Sequence, residues 1–100
     1  MKIKIPEKIE IIGSTIDIIW DEDYCEEHDL MGSANMNHNT ITLRKKYKNT
    51  LLKDDAISET FIHELVHVIL RKTGRGDELN EDETFIVPFS NALHQVIKQL

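Results

Sequence analysis

The segment His63-Glu64-Leu65-Val66-His67 is an H-E-x-x-H pattern. On a helix, residues four apart project from one face with their Cα atoms roughly 6 Å apart. Two imidazoles at that spacing can converge on one tetrahedral zinc at ~2.0–2.1 Å. Glu64 lies about 100° around the helix from His63, beside such a metal rather than on it, where a general base for an activated water belongs. The plain alternative is a pair of surface histidines on an amphipathic helix. It fares poorly because the neighbours Phe61, Ile62, Leu65, Val66, Val68, Ile69 and Leu70 are apolar. Two imidazoles and a carboxylate set into such a helix carry a desolvation cost that metal ligation would offset.

A catalytic zinc takes three protein ligands and leaves one position open. The extension that supplies a third histidine on the same segment is absent, since Val68-Ile69-Leu70-Arg71-Lys72-Thr73 follows His67. The acidic stretch Asn80-Glu81-Asp82-Glu83-Thr84 is the next source. Glu83 shares a helical stripe with Val87, Ser90 and His94, next to a core stripe of Ile86, Phe89 and Leu93. That places Glu83 one turn inside the helix start and makes it the preferred ligand. Glu81 and Asp82 read as first-turn charges and caps, and they remain alternatives together with His94. His94 is the weakest, because eleven helical residues span ~16 Å and it cannot join Glu83 on one metal. Cys25 has no second cysteine and no histidine at a recognised spacing, so it reads as a structural thiol. A developing oxyanion needs a further donor, for which Tyr24, His38, Tyr47 and His94 are candidates that the sequence does not separate.

These residues require particular elements to hold them. Lys2 to Ile5 alternates up to Pro6 and predicts a short edge strand or an extended tail. Lys8 to Trp20 predicts two strands joined at Gly13-Ser14, or one strand bulged there, with Ile16, Ile18 and Trp20 on one face. Asp21 to Asp29 is acidic without a period and is expected to be a solvated loop or a short helix. Leu30 to Arg44 predicts a hairpin turning within Asn35-Met36-Asn37-His38-Asn39, and Arg44-Lys45-Lys46-Tyr47-Lys48 a solvated edge. The motif helix is expected from about Asp54, capped by Asp54 or Asp55, closing with Arg71, Lys72 and Gly74. After a connection over Arg75 to Asn80, Glu81 to Leu100 predicts a second helix. Its expected inner side carries Ile86, Phe89, Leu93, Val96, Ile97 and Leu100, with a kink or break near Phe85 forced by Pro88. The expected fold is α+β: a three- to four-stranded, mainly antiparallel sheet, the H-E-x-x-H helix, and a C-terminal helix bearing a glutamate.

The chain has 100 residues, 40% hydrophobic and 30% charged, which bounds it to one globular domain over residues 1–100 with a shallow groove for any site. A net charge of −6 argues against binding nucleic acid through phosphates. One cysteine excludes an intrachain disulfide, and no stretch approaches the ~18 apolar residues of a membrane span. With no secretory segment visible, the expected setting is a reducing cytoplasm.

The run Thr60 to Leu70 resembles the active-site helix of small prokaryotic and phage-encoded metallopeptidases, the minigluzincins and the wider ImmA/IrrE-like group. Glu81 to Ile86 followed by Leu93 to Ile97 is similar to their glutamate-bearing closing helix, and the hairpin with Gly32 and Thr40-Ile41-Thr42-Leu43 to their upstream strands. The likeness covers roughly residues 10 to 100, with Pro88 as a departure. It implies a zinc-dependent metalloendopeptidase in which His63, His67 and Glu83 hold Zn2+ and Glu64 is the general base for a zinc-activated water. The implied partner is a protein or peptide substrate, expected to add to a strand edge at Thr40 to Arg44. Two other readings share the fold: a zinc-stabilised binding or regulatory module, and a latent enzyme whose Met1 to Pro6 segment fills the groove.

Overall fold

The computed structural model describes residues 3–74 and 82–100. It is α+β, in the order β1 (Lys8–Ile11), β2 (Ser14–Trp20), α1 (Glu22–Glu27), β3 (Gly32–Asn35), β4 (Thr40–Leu43), β5 (Lys46–Tyr47), β6 (Thr50–Leu51), α2 (Asp54–Lys72) and α3 (Glu83–Lys98). Four strands form one sheet in the order β1-β2-β4-β3, and β5 and β6 form a separate hairpin. β1 and β2 are antiparallel, as are β3 and β4, whereas β2 and β4 run parallel. The sheet is therefore mixed, because α1 and β3 carry the chain across before β4 returns beside β2.

The first hairpin turns on Ile12-Gly13, one residue earlier than the glycine-serine pair suggests, with φ of 46° and 77°. Two consecutive positive φ angles match the right-handed twist of the flanking strands. The second hairpin is pinned by Asn35, whose Oδ1 accepts from the backbone N–H groups of Asn37 (3.0 Å) and His38 (3.2 Å). Residues 3 to 6 form no strand. Ile3 and Ile5 instead pack against the core, away from the histidines, and line a cavity with Trp20, Leu51, Leu52 and Ile57.

The core lies between the sheet and α2, where Ile16, Ile18, Ile41 and Leu43 meet Phe61, Ile62, Val66 and Val68, and α3 adds Ile86. Trp20, expected beside Ile16 and Ile18, is 40% exposed, and Lys45 Nζ stands 4.9 Å from its ring centroid. Gly32 allows β3 to lie tightly on α2: a Cβ there would sit 2.6 Å from Thr60 Cγ2 and 3.2 Å from the Thr42 carbonyl oxygen.

The expected solvated segments are more structured than their composition indicates. Asp21 caps α1 by accepting from the Tyr24 N–H at 3.0 Å. Asp29, at φ 52°, closes the helix with the Leu30 N–H bonded to the Cys25 carbonyl at 2.8 Å. This is a Schellman stop without the usual glycine. Arg44 is buried rather than solvated: it donates to the carbonyls of Lys46 (2.5 Å) and Leu30 (3.1 Å) and to Glu26 Oε2 (2.5 Å), tying α1 to the sheet. Cys25 is buried behind it as a free thiol, and burial pushes its pKa up.

α2 starts at Asp54 with Lys53 as N-cap, so neither Asp54 nor Asp55 caps it. Asp55 bonds Lys98 Nζ at 2.8 Å instead and ties the start of α2 to the end of α3. Gly74, at φ 80°, follows the C-cap Thr73. α3 runs unbroken through Pro88. Its buried positions are Ile86, Ser90 and His94, with Leu93 and Ile97 partly buried. Phe89, Val96 and Leu100, expected inside, are 47%, 54% and 80% exposed. The helix is rotated toward its polar stripe because Ser90 and His94 find partners on α2. Among the described residues, no helix is long and apolar enough to cross a membrane.

Candidate metal centre

The pairing of α2 with α3 brings the predicted donors together. His63 Nε2 lies 3.6 Å from Glu83 Oε2, and His67 Nε2 lies 3.3 Å from Glu83 Oε1. One donor atom from each of the three residues falls within 4.8 Å of the others, and this is the one such group of histidine, cysteine or acidic side chains among the described residues. Tetrahedral geometry at ~2.0–2.1 Å bonds separates neighbouring donors by roughly 3.3 Å. The set of two imidazole nitrogens and a carboxylate oxygen therefore fits a small divalent cation. The rings of His63 and His67 meet edge to face, centroids 5.0 Å apart, as expected one turn apart on a helix.

Glu83 is the first residue of α3, not one turn inside it. The capping role falls to Asp82, which accepts from the Thr84 N–H at 3.0 Å and from its hydroxyl, so its carboxylate is already engaged. Glu81 lies outside the described residues. His94 is remote from the cluster, buried against Ser58 with 2.8 Å between Nε2 and Oγ. The carboxylate at the helix start thus reaches back to α2 from a helix N-terminus, where its negative charge is also favoured by the helix dipole.

Electrostatics prepare the groups for different work. Burial, opposed by Glu83, lowers the His63 pKa and keeps its ring neutral at neutral pH, as a metal ligand must be. Ser90 Oγ donates to the Val87 carbonyl at 3.2 Å and lies 3.4 Å from His63 Nδ1. If that proton stays on the Val87 carbonyl, Ser90 accepts from Nδ1–H, and this tautomer would offer the Nε2 lone pair to a cation held with Glu83. The pKa of Glu64 is pushed up to about 7, chiefly by burial and further by Glu83, against the opposing effect of His67. A carboxyl with a pKa near ambient pH is suited to shuttling a proton.

Two cavities of about 400 and 440 Å³ meet at this cluster and share Gly32, His63 and Glu64. One extends along Ala56, Glu59, Thr60 and Asn91, the other along Ser33, Ala34, Met36 and Arg71. None of the four oxyanion candidates lines either cavity: Tyr24 rests on His28, Tyr47 lies against Arg44 and Lys48, His38 sits in the second hairpin turn, and His94 is buried. The side-chain donors that do line them are the uncharged Ser33, Thr60 and Asn91 and the cationic Arg71. The strand edge at the groove is also not the one expected. β4 is paired on both sides, by β2 and β3, and has no edge, whereas β3 is the outer strand and lines both cavities. Ser90 lies seven residues after Glu83, two turns along one stripe, and that spacing was the signal for it.

Comparison with protein-family models, with characterised proteins and with solved structures returned no match.

Proposed function

We propose that this chain is a zinc-dependent metallopeptidase in which His63, His67 and Glu83 hold the metal and Glu64 is the general base. The observation that carries the reading is the meeting of three donors from two helices at ligand spacing, beside a half-buried carboxyl with a pKa of about 7. Zinc, when bound, supplies Lewis-acid polarisation of a carbonyl and lowers the pKa of a water toward neutrality. Ser90 orients the His63 ring through Nδ1, and Glu64 accepts a proton and returns it to the leaving amine. A peptide would lie as an added strand on the free edge of β3, which passes the cluster at Gly32 to Ala34. Thr60 against Gly32 holds that edge to α2.

The test is metal analysis together with cleavage of a mixed peptide library. One zinc per chain and cleavage that falls about a hundredfold or more in Glu64→Gln is the expected result. If zinc binds but neither library nor denatured protein is cut, the hydrolase reading fails and a zinc-stabilised binding module takes its place.

A further inference from the structure

The groove has a charge polarity that the cluster chemistry does not require. Along α2, Glu59, His63, His67 and Arg71 follow one another at intervals of four, so each stands one turn beyond the last. Glu59 lines the cavity that begins at Met31 and Gly32, and Arg71 lines the one that continues along Ser33, Ala34 and Met36. Both side chains are exposed. An acid therefore stands at the Gly32 end of the β3 edge and a base at its Asn35 end, with the histidines between them. Asp55 lies further out beyond Glu59, but Lys98 neutralises it, so Glu59 sets the sign at that end.

We infer that the groove selects peptides carrying an acidic residue on the N-terminal side of the bond over the histidines and a basic residue on the C-terminal side. This inference rests on the groove being a peptide site, as proposed above. A peptide added to β3 in the antiparallel sense, the more favourable pairing, runs from the Asn35 end to the Gly32 end. Its N-terminal half then passes Arg71 and its C-terminal half passes Glu59. Glu59 and Arg71 are roughly 18 Å apart along the helix axis, the length of about five to six strand residues. The selected charges thus sit about two to three residues on either side of the centre. Arg71 offers a planar fork that matches a carboxylate, whereas Glu59 accepts from an ammonium or guanidinium group. Neither is a metal ligand or the proposed base, so they set preference rather than chemistry.

The experiment uses full-length Glu64→Gln protein loaded with zinc, which allows binding to be read without cleavage. Four pools of fluorescein-labelled peptides share an apolar centre and differ in their flanks: acidic then basic, basic then acidic, all acidic, all basic. The acidic-then-basic pool should bind about fivefold or more tighter than the reversed pool, as expected of two exposed charge pairs, and the margin should shrink with added salt. Exchanging the charges in Glu59→Lys with Arg71→Glu keeps the net charge and should invert the order. Equal binding of the two mixed pools, the reverse order, or a preference for the all-basic pool that survives the exchange would overturn the inference. Circular dichroism of the exchanged protein shows whether it is folded; if it is not, the pool order and salt dependence with Glu59 and Arg71 in place decide the matter. Cleavage without charge preference removes this inference and leaves the peptidase reading standing. Ordered binding without cleavage by the Glu64-containing protein does the opposite.

Discussion

Two serine–histidine pairs join α2 to α3, and they are put to different use. In one, His63 of α2 meets Ser90 of α3; in the other, His94 of α3 meets Ser58 of α2. Each serine hydroxyl donates to a carbonyl on its own helix, Val87 for Ser90 and Asp55 for Ser58, and is left with a lone pair for the ring. The difference lies in which nitrogen is tied. Ser90 takes Nδ1 of His63 and turns Nε2 toward Glu83, whereas Ser58 takes Nε2 of His94 itself. His94 also has no second histidine near it, and its cavity is lined by Asp55, Glu59, Asn91, Gln95 and Lys98. One histidine thus directs a ring nitrogen toward the Glu83 carboxylate, where we propose it is a ligand, and the other satisfies buried polar groups between packed helices.

The sharpest break in this symmetry is removal of each ring. His63→Ala should abolish stoichiometric zinc binding and leave the metal-free fold intact, whereas His94→Ala should bind zinc normally and unfold at lower denaturant. Zinc titration paired with urea unfolding reads both. Next in size is the carboxyl that only the His63 side possesses. The Glu64 pKa rises from 4.5 to about 7 on folding, so between those pH values the folded state holds more protons than the unfolded state. The Glu64 contribution to stability of the metal-free protein then falls as pH rises through that window, by about 3 kcal/mol in total, while His63, whose pKa is lowered by burial, contributes in the opposite sense below 6.5. Glu64→Gln, which mimics the protonated carboxyl, should remove that loss: equal to the parent at the acid end, more stable at the neutral end. His63 is common to both proteins, so the difference between parent and Glu64→Gln isolates the carboxyl, and a difference that does not grow across this window would contradict it. The serines come third. Ser90→Ala should weaken zinc binding by about ten- to a hundredfold, since it frees the ring of a proposed ligand. Ser58→Ala should leave zinc affinity unchanged and cost about 1–3 kcal/mol by leaving a buried imidazole nitrogen without its hydrogen-bond partner. Equal effects of the two serine variants on zinc would erase the distinction.

How far the sequence discloses this arrangement follows from which features are local. The H-E-x-x-H spacing, Gly74 at the end of α2, and the turn residues Asn35 to Asn39 act within a few residues, and the structure places each where the pattern predicts. The placement of Glu83 near the start of α3 follows from spacing alone, although the helix begins two residues later than expected. The inner face of α3 was not reachable in that way. Apolar pattern favours Phe89 and Val96, yet Ser90 and His94 are buried because their partners lie 27 and 36 residues away on α2. Arg44 is a similar case, since its acceptors come from α1 and the segment after it. The free sheet edge depends on the order β1-β2-β4-β3, a wholly non-local property, which is why β4 was expected where β3 stands. The end of α1 and the β5–β6 hairpin escaped because Asp29 and the pair Lys48-Asn49 take positive φ without glycine, whereas a short helix over Asp21 to Asp29 was one of the two expectations there.

The smallest predicted effect separates fold stability from the candidate metal centre altogether. Ile12 occupies the first position of the β1–β2 turn at φ 46°, a region that a β-branched side chain enters at a cost of about 1–2 kcal/mol. It is 69% exposed, so the isoleucine gains little from burial in exchange. Asn tolerates this conformation, and Asn-Gly is the preferred pair for such a turn. Ile12→Asn should therefore raise unfolding stability by about 1 kcal/mol, opposite in sign to Ser58→Ala. Ile12 lines neither cavity at the cluster, so zinc affinity should be the same as in the parent protein. If stabilising this turn tightened zinc binding in step with stability, the affinity loss in Ser90→Ala could be ascribed to a loosened fold. If it does not, that loss belongs to the orientation of the His63 ring, and the two serine–histidine pairs are separate in function as well as in place.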